Sequence, residues 1–194
     1  MADALKNEDR LLIAKALENP QDFSAIVLKY QNPLGRYVRR LGGLESDDIK
    51  DVLQNVFVNA YKALNSVDIA GTTFSAWLYR IAHNETVSYL RRKSAKATVP
   101  LPEEDEGKFP YLASDLDVQE EISKKIDSEE IHKAVSSLPD KYREVVILKY
   151  FEDKNYDEIS DILKKPPGTI ATLISRAKAR LRVVMLEKEV NQTK

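Results

Sequence analysis

The chain has 194 residues, of which 43% are hydrophobic and none is cysteine, and its formal net charge is −1 at pH 7. This composition allows one large or two small domains, and it excludes disulfides, thiolate zinc sites and cysteine nucleophiles. Apolar runs fall short of the roughly 20 residues that cross a bilayer, and the charged N-terminus lacks the apolar core of a signal peptide. We therefore expect a cytoplasmic protein without membrane insertion.

Helical spacing of apolar residues recurs along most of the chain, while glycine is scarce at 6 residues and alternating strand patterns are rare. A first helical segment runs to about residue 93, and Asn19-Pro20, Gly42-Gly43 and Ala70-Gly71 interrupt it. A second helical segment begins at about residue 128. The sequence therefore predicts an all-α fold with two small helical domains, residues 1–93 and 128–194.

The segment between the two helical parts, residues 94–127, differs in composition. It contains three prolines and the acidic run Glu103-Glu104-Asp105-Glu106. From residue 94 to residue 130 there are eleven acidic and four basic side chains, a net charge of −7. Proline, like charge and weak periodicity are typical of a linker, so we predict a flexible acidic tether between the domains.

A helical pattern follows the break at Gly42-Gly43. Its polar edge is formed by Asp51, Gln54 and Asn55, and its apolar area is supplied by Val52, Val56, Phe57 and Tyr61. A polar edge beside a wide apolar face suits docking on a partner helix. It equally suits packing within the helix's own domain, and the residues alone leave both interpretations open.

The next helical pattern combines aromatic and polar side chains within two turns: Trp77, Tyr79, Arg80, His83 and Asn84. Aromatic rings can stack on an unpaired base, at roughly 1–3 kcal/mol per base, and polar groups can bind its edge. A basic end, where phosphates could be neutralised, follows at Arg91, Arg92 and Lys93. A second face is predicted to be buried, at Phe74, Leu78, Ile81 and Ala82. In the alternative interpretation, the two aromatic residues Trp77 and Tyr79 are simply part of the core.

Near the C-terminus the sequence predicts two short helices joined by a tight turn. Asn155 and Glu158 have the spacing of a capping box, and Lys164-Lys165-Pro166-Pro167-Gly168 ends the first helix. Thr169 is expected to cap the second helix. The predicted buried face of this helix holds Ile170, Ile174, Ala177, Leu181 and Val184. This arrangement is typical of a helix-turn-helix, whose second helix enters the major groove of DNA.

The polar face of the second helix suits contact with DNA. From Lys164 to Arg182 there are six basic residues and no acidic residue. The small side chains of Ala171, Thr172 and Ser175 allow close approach to base edges, and Arg176 is long enough for a guanine or a phosphate. The remaining basic residues would hold phosphates. The alternative is an ordinary amphipathic helix with a solvated basic face.

Motifs in both halves resemble extracytoplasmic-function (ECF) RNA polymerase sigma factors. The segments DVLQNVFVNAY at 51–61 and FSAWLYRIAHN at 74–84, with YLRRK after them, resemble region 2 of that family. The segment SLPDKYREVV at 137–146, followed by YDEI, GTI and SRAK, resembles region 4. The resemblance implies a protein that binds core RNA polymerase and directs initiation at a promoter. The linker then either threads through the RNA channel of the polymerase or serves as a spacer.

The resemblance also implies residue roles. Binding to the coiled coil of the polymerase β′ subunit falls to Asp51, Gln54, Asn55 and Val58. Recognition of the melted −10 element falls to Trp77, Tyr79, Arg80, His83, Asn84, Arg91, Arg92 and Lys93, with the loop at 65–73 capturing a non-template base. Recognition of the −35 duplex falls to Thr169, Ala171, Thr172, Ser175, Arg176, Lys178 and Arg180, in a domain that rests on the flap of the β subunit. The family usually pairs with an anti-sigma factor, which we expect here.

Ala171 and Leu173 depart from the family, which often has basic residues at these positions, so no −35 sequence is carried over. We predict no enzyme, no metal site and no cofactor, because His83 and His132 lie in different predicted domains and no catalytic or phosphate-binding motif appears. Two alternatives remain: a plain helix-turn-helix regulator and a sigma-mimic adaptor without initiation activity. The regulator gives the N-terminal motifs no role, and the adaptor is expected to have an acidic recognition helix.

Overall fold

The computed structural model describes residues 2–67, 72–97 and 129–192, with side chains at 7–67, 72–95 and 129–185. Every regular element in these ranges is helical: α1 Ala2–Glu18, α2 Phe23–Gly42, α3 Ser46–Ala63, α4 Phe74–Ala97, α5 Glu129–Ser136, α6 Asp140–Val146, α7 Tyr156–Leu163 and α8 Pro167–Gln192. Two short 3-10 helices, Pro20–Asp22 and Leu64–Ser66, and a π-helical segment, Ile147–Phe151, complete the described elements.

The predicted all-α fold with two helical units is confirmed, with α1 to α4 in the first unit and α5 to α8 as the helices that follow. The predicted linker at 94–127 lies outside the described residues except for the end of α4. The predicted base-capturing loop at 65–73 is only partly described.

Local signals determine where the N-terminal helices end. Asn19 accepts a hydrogen bond from the backbone N–H of Gln21 at 3.2 Å and so caps the short helix that Pro20 begins. Gly43 ends α2 with a φ of 59°, and its N–H donates to the carbonyl of Arg39 at 2.8 Å. This left-handed conformation is one that glycine adopts without a steric penalty, which explains the break predicted at Gly42-Gly43.

The core of the first unit lies where α2 and α3 pack against α4. Of the face of α4 that was predicted to be buried, Phe74, Leu78 and Ala82 are at most 2% exposed, whereas Ile81 is partly exposed. Between α2 and α4, the ring of Tyr37 lies 5.1 Å from that of Tyr79. Burial of each large apolar side chain contributes roughly 1.5–3 kcal/mol to folding, so this face holds α4 in place.

A buried carboxylate attaches α1 to α2. Asp9 is 6% exposed, and its side chain accepts hydrogen bonds from the hydroxyl of Tyr30 at 2.8 Å and from the ammonium of Lys29 at 2.9 Å. A buried acidic side chain needs such partners to offset its lost hydration. Burial and the neighbouring Asp9 both raise the pKa of Tyr30, which therefore stays protonated as the donor.

The capping box predicted for α7 is confirmed in both directions. The backbone N–H of Glu158 donates to the side-chain oxygen of Asn155 at 2.9 Å, and the N–H of Asn155 donates to the carboxylate of Glu158 at 3.1 Å. The helix ends at Leu163, and Lys164 follows with a φ of 53°. Two orphan N–H groups at the start of α7 are thereby satisfied by local sequence alone.

The predicted cap of α8 is wrong. The helix begins at Pro167 rather than after Thr169, and the N–H groups of Thr169 and Ile170 both donate to the carbonyl of Pro166. Proline suits the first position of a helix because its φ is already helical and it has no N–H that needs a partner. Thr169 therefore lies within the first turn of α8 as an exposed residue.

The buried side of α8 follows the prediction closely. The residues that were predicted to be buried and are at most 2% exposed are Ile170, Ile174, Ala177 and Leu181. Val184 is partly exposed, and Leu173 joins the buried side at 9% exposure. On α7, Ile159 and Ile162 are buried, whereas Tyr156 is 42% exposed. These faces fix which side of α8 remains outward.

Candidate nucleic-acid interface

One face of α3 exposes all four residues that were predicted to bind a partner. Asp51, Gln54, Asn55 and Val58 are exposed, and their spacing of three, four and seven places them along one stripe of the helix. Val58 is 44% exposed, and Tyr61, one turn further, is 45% exposed. The stripe is therefore polar at its start and apolar at its end.

Part of the apolar area that was predicted for this surface of α3 is buried. Val52 and Val56 are 1% and 0% exposed, so they pack inside the unit and are not available to a partner. The exposed apolar area comes from Val58 and from Tyr61, which was predicted to supply it, and the ring of Tyr61 meets that of Phe23 edge-on at 5.2 Å. The sequence pattern did not distinguish the inward from the outward apolar residues of α3.

The aromatic residues of α4 have internal ring partners. Trp77 is 7% exposed, and its ring stacks on that of Phe74 with the centroids 5.4 Å apart. Tyr79 is 3% exposed and packs on Tyr37. His83 is partly exposed, and its Nδ1 lies 3.2 Å from the hydroxyl oxygen of Tyr37, within hydrogen-bonding distance. In this conformation, little of either aromatic ring is open to a base.

The exposed side of α4 carries polar and basic groups instead. Asn84 is exposed and Arg80 is partly exposed, while Arg91, Arg92 and Lys93 at the end of the helix are all exposed. Ser88, one turn after Asn84, shares this face and was not singled out from the sequence. Its spacing of four from Asn84 was the available signal. The face therefore presents an amide, a hydroxyl and guanidinium groups towards solvent.

Lys93 has a partner that the sequence did not indicate. Its ammonium donates to one carboxylate oxygen of Asp48 on α3 at 2.6 Å, and the hydroxyl of Tyr89 donates to the other oxygen at 2.6 Å. The pKa of Asp48 is lowered mainly by the hydrogen bond from Lys93 and, to a smaller extent, by the hydrogen bond from Tyr89. In return, Asp48 raises the pKa of both donors.

The outward face of α8 brings together most of the residues that were predicted to contact a DNA duplex. Thr169, Ala171, Thr172 and Arg176 are exposed, and Ser175 is partly exposed. The hydroxyl of Thr172 donates to the carbonyl of Gly168 at 2.9 Å, one turn earlier. Small side chains therefore surround Arg176, the long cation of this face, which leaves room for the helix to approach a groove.

Two other residues that were predicted to contact DNA pack within the C-terminal unit. Lys178 is 9% exposed, and the guanidinium of Arg180, itself partly exposed, lies 4.8 Å from the ring centroid of Tyr142 on α6. A cation over an aromatic face is attracted by the electron density of the ring. The structure thus separates Arg176, which points outward, from Arg180, which packs against its own unit.

Two family patterns match this chain, one in each helical unit. Residues 26–96 match the family pattern of sigma-70 region 2, and residues 128–181 match that of sigma-70 region 4. Within the residues that the structure describes, no helix combines the length and the apolar character needed to cross a membrane.

Relatives match across both units. The ECF RNA polymerase sigma factor SigW of Bacillus subtilis is 33% identical over 177 residues, which covers 88% of this chain and 92% of the relative. The ECF RNA polymerase sigma-E factor of Escherichia coli is 29% identical over 175 residues, covering 88% and 90%.

Two solved structures share the fold. CnrH, determined in complex with the cytosolic domain of CnrY, aligns with a TM-score of 0.65 at 24% identity, covering 91% of this chain and 96% of CnrH. The sigma factor RpoE of Bartonella quintana, determined in complex with the anti-sigma factor NepR, aligns with a TM-score of 0.62 at 24% identity, covering 85% and 97%.

Proposed function

The chain belongs to the ECF RNA polymerase sigma factors, and on that premise we propose how its two helical units divide the work of promoter recognition. Members of this family direct core RNA polymerase to promoters. Residues 1–93 bind the polymerase and read the melted −10 element. Residues 128–194 read the −35 duplex, and residues 94–127 connect the two.

The outward face of α8 is the observation that carries the proposal. It exposes Thr169, Thr172 and Arg176, and the segment from Lys164 to Arg182 contains no acidic residue. A basic face with short side chains around one arginine suits a DNA groove, where arginine makes the bidentate guanine contact or holds a phosphate. A sigma mimic that sequesters a sigma antagonist without binding DNA is expected to have an acidic recognition helix instead.

The exposed stripe on α3 supports polymerase binding. Asp51, Gln54 and Asn55 leave their polar groups in solvent, and Val58 adds apolar area beside them. A partner helix can pack along such a stripe, with the apolar residue as an anchor and the polar residues fixing the register. We assign this stripe to the coiled coil of the β′ subunit.

On α4, the exposed face that contains Asn84 and Arg91 is assigned to the melted strand. The amide of Asn84 can bind the edge of an unpaired base, and the arginines at the end of the helix can neutralise phosphates. Trp77 remains a candidate for base stacking if its ring moves away from Phe74 when DNA opens. Arg80 and His83 flank this face.

Control by an anti-sigma factor is part of the proposal. The two similar solved structures were each determined with a protein partner, which for RpoE is the anti-sigma factor NepR. Such a partner would cover the same exposed stripes that polymerase and DNA need. We place the protein in the cytoplasm, where RNA polymerase works, and assign it no catalytic residue of its own.

The test selects host DNA fragments with the chain and core polymerase together, with the chain alone and with core alone. Permanganate then detects unpaired thymines in the retained fragments. The proposal expects retention and unpaired thymines only with both proteins, because each basic surface is small and polymerase must hold the two at promoter spacing. Retention by the chain alone on closed DNA indicates a plain regulator, and no selective retention indicates the mimic.

A further inference from the structure

The last turns of α4 extend beyond the packed part of the first unit. Thr86 is 0% exposed, Tyr89 and Leu90 are partly exposed, and residues 91–95 are all exposed. Helix ends without buried apolar side chains open easily, because most helical stability in proteins comes from tertiary packing. The arginines proposed to hold phosphates therefore stand on a segment that needs another attachment.

Asp48 supplies such an attachment from α3. Its two carboxylate oxygens receive Tyr89 and Lys93, which are one helical turn apart on α4, each at 2.6 Å. The side chain of Asp48 is only 23% exposed, while that of Lys93 is 57% exposed. Asp48 lies in the first turn of α3 and Lys93 near the end of α4, so each charge also lies at the favourable end of its own helix dipole.

We propose that Asp48 is a positioning residue for promoter opening, which holds the basic end of α4 so that Arg91 faces the DNA. Successive residues of a helix are about 100° apart, so Arg91 points about 200° away from Lys93, to the opposite side of α4. Asp48 thus binds the side of α4 that carries Lys93, while the side that carries Arg91 remains exposed. The inference rests on the proposed function, because it assumes that this end of α4 meets DNA.

The proposal changes the role expected for Lys93. With its ammonium on Asp48, Lys93 acts through the position of α4 and not as a phosphate contact. A single exposed ion pair contributes little to stability. Here, however, one carboxylate joins two donors from adjacent turns, and charge-assisted bonds of this kind are stronger than neutral ones. We therefore expect the bridge to affect the direction of the helix end more than global unfolding.

A spin label tests the attachment directly. The chain has no cysteine, so Ser94→Cys, at an exposed position beside the bridge, takes a single nitroxide. Asp48→Asn and, separately, Tyr89→Phe should increase the mobility of the label in the full chain. Asp47→Asn is the matched control, since Asp47 pairs with Lys50 inside α3 at 2.9 Å and does not reach α4. Unchanged mobility in both bridge variants overturns the proposal.

The functional arm measures the rate of promoter opening with core polymerase. Asp48→Asn should lower that rate by roughly three- to tenfold, while Asp47→Asn should not change it. The charge-reversed pair, Asp48→Lys with Lys93→Glu, should recover part of the loss, because it restores the ion pair without a cation at position 93, whereas Tyr89 no longer has a carboxylate to which it can donate. If this pair recovers none of the opening rate and Lys93→Glu alone is equally defective, Lys93 is a DNA contact and the proposal is overturned.

The two inferences fail in distinguishable ways. If the unaltered chain opens promoters and Asp48→Asn opens them at the same rate, the positioning role is contradicted and the sigma function stands. If the unaltered chain opens no promoter while an established sigma factor does so in parallel, the proposed function itself fails. In either case, the mobility of the label shows whether the bridge at Asp48 holds the end of α4.

Discussion

The guanidinium of Arg180 on α8 lies 4.8 Å from the centre of the ring of Tyr142 on α6, whereas Arg176, one turn earlier, is exposed. The same helix therefore carries one arginine that packs inward and one that is open to a groove. We expect Arg176→Ala to weaken promoter binding by the holoenzyme by about 1–3 kcal/mol if it contacts a base. If it contacts a phosphate, the slope of log affinity against log salt should fall by about one.

Arg180→Ala is the matched comparison. Loss of its contact with Tyr142 should lower the stability of the C-terminal unit by roughly 1 kcal/mol or less, since the arginine is partly exposed. Binding to DNA should change little once the variant is folded. If both variants lose DNA affinity equally and Arg180→Ala loses no stability, the assignment of Arg176 to DNA binding and of Arg180 to packing is contradicted.

The capping box predicts a local stability effect. Asn155→Ala should destabilise the C-terminal unit by about 1 kcal/mol, because the N–H of Glu158 loses its acceptor at the start of α7. Denaturant titration followed by circular dichroism should shift, while the fluorescence of Trp77, the single tryptophan, follows the N-terminal unit and should not. The double variant with Glu158→Ala should lose less than the sum of the single losses.

Variants of Asn84 and Tyr79 distinguish contact with DNA from packing on α4. Asn84 is exposed, so Asn84→Ala should reduce promoter opening while leaving the melting temperature within error. Tyr79 is 3% exposed and packs on Tyr37, so Tyr79→Ala should cost about 3 kcal/mol of stability. Thermal unfolding and opening rates are measured on both proteins. Normal opening by Asn84→Ala removes this amide from the proposed interface.

The stripe on α3 predicts a change in affinity for polymerase. The double variant Asp51→Ala with Asn55→Ala should bind core polymerase about tenfold more weakly, equivalent to 1.4 kcal/mol, and unfold like the parent, because both residues are exposed. Val56→Ala, on the buried side at 0% exposure, should instead cost about 2 kcal/mol of stability. Fluorescence anisotropy of labelled chain measures the affinity. Unaltered affinity in the double variant places the polymerase contact elsewhere.

The bridge at Asp48 has a defined pH dependence. Its carboxyl has a lowered pKa in the folded chain, so its contribution to stability is present above the ordinary value of about 3.9 and is lost as pH falls through the folded pKa. Tyr89 and Lys93 have raised pKa values, so their contributions are lost as pH rises above about 10.

The difference in label mobility between the Ser94→Cys chain and the same chain with Asp48→Asn should therefore be constant from about pH 5 to about pH 9 and shrink on both sides. Glu45 and Asp51, which also act on these donors, are kept unchanged in the comparison. A difference that grows below pH 5 contradicts the assignment.

Local features were predictable from the sequence because they depend on neighbours. The cap at Asn155 and the break at Gly43 involve residues within four positions of each other, and both occur as expected. Pro167 was missed as the start of α8 because threonine and proline both fit the beginning of a helix, and the pattern did not decide between them.

Tertiary features were less predictable. The bond between Tyr89 and Asp48 joins residues 41 positions apart, and acidic residues in a first helical turn are common for reasons of helix stability alone. The helical pattern identified α4 but could not show how much of Trp77 is covered, since that depends on how α4 packs against α2 and α3. The burial of Lys178 could not be predicted from its neighbours in the sequence either, because the aliphatic part of a lysine side chain can pack along an apolar face.

The proposed function of this chain is to direct core RNA polymerase to specific promoters. The most direct measurement is sequencing of transcript 5′ ends produced by the purified chain, bacterial core polymerase and fragmented host DNA. We predict discrete start sites that share two upstream motifs, one for each helical unit. Transcription no greater than with core polymerase alone, while an established sigma factor is active in parallel, would contradict the account.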